Sequence, residues 1–146
     1  MNTRKGTLKS SIKHKVSKKP PQELTETDYF ELAKKGELTL ERLMHCAERM
    51  NASGRTDQSI ELYRLWLEKS DSHLKFVAWF NQGVQFAALD NYEEATKAYE
   101  TAIQLKHDFV QPRINLGISL ERLGKRTDAI EEWKKIVDDP LIKASA

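Results

Sequence analysis

The chain has 146 residues, of which 39% are hydrophobic and 32% charged, with a formal net charge of +2; this is the balance of a globular chain long enough for one domain with a real core. No run of about 18 apolar residues marks a transmembrane helix, and no apolar segment of roughly 7–15 residues near the start marks a secretion signal. A single cysteine, Cys46, makes no internal disulfide and fits a reducing compartment, so a cytoplasmic location is expected.

The net charge hides an asymmetry. Residues 1–22 hold Arg4, Lys5, Lys9, Lys13, Lys15, Lys18 and Lys19 and no acid, giving this stretch +7 and the remainder −5. Low apolar content, like-charge repulsion and the Pro20-Pro21 stop predict a disordered basic leader over 1–22. Two functional readings compete with a plain solvated tail. Leu8, Ile12 and Val16 share one helical stripe among the lysines, which would let residues 4–19 lie on an anionic membrane; the same charges would attract nucleic acid, although no aromatic interleaves to stack on bases.

From Thr25 onward apolar residues recur at three- and four-residue steps, with no sustained alternation of the strand kind. A short helix is predicted over 25–35, starting behind Thr25 or Thr27 and stopped by Gly36. Next comes 39–51, capped by Thr39, with Leu40, Leu43, Met44, Ala47 and Met50 on one face; Gly54 breaks it. Helix 56–69 carries Ile60, Tyr63, Trp66 and Leu67. Ser70, Asp71 and Ser72 offer caps for a long helix over 73–89, and Asp90-Asn91 turns the chain. Helices over 92–105, 110–123 and 126–138 complete the set, with Pro112 in a first turn, where its missing N–H is not needed. Pro140 is read as the end of the pattern, with residues 140–146 a short tail.

Two of these helix pairs say nearly the same thing. Asn81, Gly83, Leu89, Ala95 and Tyr99 return as Asn115, Gly117, Leu123, Ala129 and Trp133, every pair 34 residues apart. A fixed period in the range of roughly 20–50 residues marks a stacked repeat. With Trp79, Phe86 and Ala102 in the first unit and Leu116, Leu120 and Ile136 in the second, the pattern resembles the tetratricopeptide (TPR) family. Leu43, Ala47, Met50, Ser59, Tyr63 and Trp66 make an earlier, degenerate copy displaced by 36 residues instead of 34. The resemblance implies an all-α, right-handed solenoid of helix-turn-helix units over 23–139: repeats at about 40–75, 76–109 and 110–140, and a capping helix at 25–35. Glycine facing alanine would let paired helices approach closely, with Gly83 and Gly117 set against Ala95 and Ala129 while Tyr99 and Trp133 fill the gaps. Ile130 and Val137 share a stripe that faces the place of a next repeat, an edge for self-association.

Catalytic templates are absent: no His-Glu-x-x-His, Cys-x-x-Cys, Gly-x-Ser-x-Gly or Gly-x-Gly-x-x-Gly occurs. Gly124-Lys125-Arg126-Thr127 lacks the upstream glycine of a phosphate loop, and the four histidines fall on different elements. Neither an enzyme nor a bound metal or cofactor is expected. The TPR resemblance implies instead a groove lined by the first helix of each unit. Asn81 and Asn115 occupy the position at which some family members present asparagines to the backbone of an extended peptide, a task suited to an amide that both donates and accepts; His45 stands there in the first copy. Met44, Phe80, Val84 and Ile118 supply apolar footing, and Glu48, Glu121 and Arg122 supply charge. The simpler reading is that the asparagines bond to neighbouring helices. The segments Leu62 to Leu67, Phe80 to Val84 and Arg113 to Gly117 are also similar to the TPR arm of bacterial SPINDLY-type O-linked N-acetylglucosamine transferases. That implies a substrate-recognition arm, the catalytic domain lying outside this chain.

Overall fold

A reciprocal cap starts the first described helix. Thr25 Oγ1 accepts from the Asp28 backbone N–H while the Asp28 carboxylate accepts the Thr25 N–H at 2.9 Å, which satisfies two donors that a helix start leaves orphaned. The computed structural model describes residues 24–145, so the leader over 1–22 and the membrane or nucleic-acid readings of 4–19 lie outside the described residues. Every described element is helical: α1 (Glu26–Lys34), α2 (Leu40–Ala52), α3 (Thr56–Lys69), α4 (Lys75–Ala88), α5 (Tyr92–Leu105), α6 (Val110–Arg122), α7 (Arg126–Asp138) and α8 (Pro140–Ser145). Consecutive helices pack on one another along the chain, most extensively α4 on α5 and α6 on α7. No described helix is long and apolar enough to cross a membrane.

Two boundaries differ from the sequence reading. The serines expected to cap a helix from residue 73 are used locally: Ser70 Oγ accepts from Ser72 N–H and Ser72 Oγ from Leu74 N–H, both at 3.1 Å. These side-chain turns delay α4 until Lys75, which begins with no side-chain cap. The second difference lies at Pro140, which starts a helix as well as ending one. Asp139 Oδ1 accepts the Leu141 N–H at 2.8 Å, and Pro140 holds the first helical position, where the absent N–H is harmless. The supposed tail is therefore α8, which packs on α7 and buries Ile142. Asp139 also takes a hydrogen bond from His107 Nε2 at 2.5 Å, tying this junction to the loop before α6. The His107 bond and the Leu141 N–H hold the Asp139 carboxyl below its usual range.

The interior falls into two clusters. One is built from Tyr29, Leu43, Met50, Leu62, Trp66 and their neighbours, where the buried Trp66 Nε1–H donates to Leu38 O at 2.7 Å. The other centres on Ala95, Tyr99, Leu116, Leu120 and Ala129. Helix α4 contributes to both, Ala78 to the first and Phe80 and Phe86 to the second. Within the second cluster the aromatics lie directly against the glycines. A Cβ on Gly83 would lie 2.6 Å from the Tyr99 ring, and one on Gly117 would lie 2.0 Å from Trp133 Nε1. Each glycine is a flat seat for the aromatic of its own repeat. Ala95 and Ala129 are fully buried on the paired helices in the same cluster. The last repeat leaves an apolar edge, with Val137 65% and Leu141 63% exposed and Ile130 also exposed.

Between paired helices the chain reverses through a left-handed residue: Gly54 at φ 75°, Gly124 at φ 77° and, at the equivalent place between α4 and α5, Asp90 at φ 57°. For a residue with a Cβ this conformation costs roughly 1–2 kcal/mol, less for aspartate. Asp90→Gly is therefore expected to raise stability by about 0.5–1 kcal/mol and Asp90→Ala to lower it. Urea unfolding midpoints of the two variants check this; equal midpoints would remove the strain argument.

Candidate functional site

Helices α2 and α4 are the first helices of successive units, and between them lies a hollow of about 260 Å³. Its walls are Met44, Ala47, Glu48 and Asn51 from α2 and Asn81, Val84 and Gln85 from α4, with Tyr63 of α3 as the floor. Four residues singled out in the sequence meet here: Met44, Glu48, Asn81 and Val84. Met44 and Val84 are each 40% exposed, an apolar rim on either side. Glu48 makes no ion pair among the described residues.

The other six sit elsewhere, Glu121 at an exposed position of α6. Phe80 turns into the core, with ring centroids 5.2 Å from Phe109 and 6.0 Å from Tyr99. Asn115 and Ile118 repeat the Asn81 and Val84 positions one unit further along α6, where Ile118 is exposed. His45 is half-buried on α2 and Arg122 is exposed at the end of α6, and neither lines the hollow. Sequence reasoning missed Ala47, Asn51, Tyr63 and Gln85. Three of them were readable: Ala47 lies one turn beyond Met44, Asn51 two turns, and Gln85 one turn beyond Asn81, which places each on the stripe of a residue already chosen.

Both asparagines bond to a helix of the preceding unit. The Asn81 amide hydrogen-bonds the Tyr63 phenol and the Asn115 amide the Tyr99 phenol. Burial pushes Tyr63 up to about 12, with the Asn81 bond acting in the opposite direction; Tyr99 is raised by burial and opposed by Asn115 in the same way. The repeated pairing locks each unit to the next. A primary amide has two donor hydrogens and one acceptor oxygen, so one bond to a phenol orients the group and leaves capacity for another partner.

Nothing in the hollow makes an activated nucleophile. The thiol of Cys46 is buried in the first core, and burial raises it to about 11, so the thiolate is scarcely populated near neutral pH. Among the described residues no group of three or more His, Cys, Asp or Glu side chains is placed to hold a metal ion.

The tetratricopeptide repeat family matches residues 76–109. Those residues match a TPR unit. They span α4 and α5, and the all-helical chain is a TPR-like helical solenoid. In the solved structure of the MamA protein a similar fold covers 77% of this chain and 58% of that one, with a TM-score of 0.64 and 18% identity; this likeness concerns the fold alone. A peroxisomal targeting signal receptor of Candida albicans (strain SC5314 / ATCC MYA-2876) is 40% identical over 55 residues, 38% of this chain. The chain spans only 9% of that receptor's length.

Proposed function

We propose that this chain is a non-enzymatic interaction module whose TPR units hold an extended segment of a protein partner along the face formed by α2, α4 and α6. The observation that carries the reading is the hollow itself: an apolar rim of Met44 and Val84 around an oriented amide, Asn81, and a carboxylate, Glu48, that has no ion-pair partner among the described residues. Such a surface fits the apolar and polar halves of a peptide together. TPR units and the similarity to a targeting-signal receptor point the same way, towards a protein partner. The narrower alternative, the recognition arm of an O-linked N-acetylglucosamine transferase, rests on the quoted sequence segments alone. Self-association through Ile130 and Val137, with Leu141 beside them, is a separate proposal for the far edge, checked by light scattering on a sizing column.

The asparagines are poor places to test the groove, because removing either also strips a buried phenol of its partner, at about 1 kcal/mol each. Val84→Arg with Ile118→Arg is better. Both positions are exposed, so stability is expected to change by no more than about 0.5 kcal/mol. Two long charged side chains would then fill the face, and capture of peptides from an arrayed library of random decapeptides should fall at least tenfold. Undiminished capture by the double variant would end the groove reading.

A further inference from the structure

The hollow between α2 and α4 is lined for hydrogen-bond donors. Glu48 is the one charged side chain on its wall. Beside it stand two amide oxygens, Asn51 Oδ1 and Gln85 Oε1, both buried and without a hydrogen-bond partner, on a Gln85 side chain that is only 5% exposed. Buried acceptors are almost always satisfied in folded proteins, so two together in one concavity are a deficit that an incoming donor would fill. The cations of α2 do not fill it. Arg42 and Arg49 act on Tyr29 of α1, on the other side of the helix, and His45 lies outside the lining.

Resting on the groove reading above, we propose that this hollow receives one basic side chain, lysine or arginine, of the bound peptide. The aliphatic stem would run between Met44 and Val84, and its charged head would meet Glu48 and, after a small rotation of the terminal amides, the oxygens of Asn51 and Gln85. A long side chain with an apolar stem and a multiply donating head matches this order of rim and floor. A neutral aliphatic side chain would leave the acceptors unmet, and an acidic one would face Glu48 with like charge. The preference therefore comes from the chemistry of the wall and runs against the protein's net charge of +2.

The test uses the full chain and fluorescence anisotropy with labelled Ala/Ser nonapeptides that differ only at the central residue: arginine, lysine, norleucine or glutamate. Arginine and lysine peptides are expected to bind at least tenfold more tightly than norleucine, with glutamate weakest. Glu48→Lys should invert that order. Glu100→Lys makes the same change in net charge on the exposed side of α5 and should leave the order intact. Equal binding of all four peptides would overturn the basic preference while leaving the groove standing; binding of none, by the parent and by a chain with the seven basic residues of 1–22 changed to glutamine alike, would overturn both. If Glu100→Lys erased the preference as fully as Glu48→Lys, bulk charge would replace the hollow as its cause. If binding appeared only when the seven basic residues of 1–22 were changed to glutamine, the chain's own leader would be the occupant, and the proposal of a partner peptide would fall.

Discussion

Gly83→Leu is expected to destabilise the protein by about 2–3 kcal/mol, lowering the melting temperature by roughly 10 °C. Even a methyl group at this position would stand 2.6 Å from Tyr99, which is fully buried and hydrogen-bonded to Asn115. The ring has no room to retreat, and moving it would also break the bond that joins two units. Gly117 makes the instructive contrast. Its added Cβ would come closer still, 2.0 Å from Trp133, yet that ring is only half-buried and sits in the last repeat. Trp133 can swing outward at the loss of one hydrogen bond to Ile114 O, 3.2 Å long. Gly117→Ala also gains about 1 kcal/mol in helix propensity, so its net effect should be near zero despite the shorter contact. Circular-dichroism melts of Gly83→Leu, Gly83→Ala and Gly117→Ala separate the cases; a milder effect at Gly83 than at Gly117 would mean that the clash distance alone decides.

The second large effect concerns a charge in the wrong neighbourhood. Arg113 is 4% exposed on α6 and donates to Glu132 of α7 at 3.0 Å, with its Nε left unpartnered. One period earlier the same two positions hold Trp79 and Ala98. An ion pair thus stands in the third unit where the second has two apolar residues. Removing the carboxylate by Glu132→Ala leaves a buried guanidinium uncompensated and is expected to cost about 3–5 kcal/mol, tempered by the 16% exposure of Glu132. Arg113→Leu together with Glu132→Ala restores the chemistry of the preceding unit and should recover most of that loss or exceed the parent. Chemical denaturation of the single and double variants measures the coupling. A double variant as unstable as Glu132→Ala would show that the pair is irreplaceable in this packing.

Helix positions were legible because they depend on local signals: threonine caps, glycine stops and the 34-residue return of Gly83 as Gly117. Pro140 was misread because Asp139-Pro140 is a stop for one helix and a start for the next, and only the packing of Ile142 on α7 decides that the second applies. The nearness of the aromatics was not legible for a different reason. Periodicity gives the stripe on which a residue lies, but not the axial offset between two helices, and that offset sets Tyr99 and Trp133 directly against the glycines. In the site, four residues picked from the α2 and α4 stripes, Met44, Glu48, Asn81 and Val84, line one hollow. Phe80, one position before Asn81, was drawn instead into the aromatic group with Phe109 and Tyr99. The Tyr63 and Tyr99 bonds to the asparagines cross between units, so no single repeat read by itself discloses them.

Because α4 forms a wall of the hollow and also feeds both interior clusters, whatever settles against Asn81 and Val84 presses on a beam common to the two halves of the molecule. Occupancy would then slow the opening of each half at once, so amide protons in α3 and in α6 should become harder to exchange together, although neither helix is the one chiefly touched.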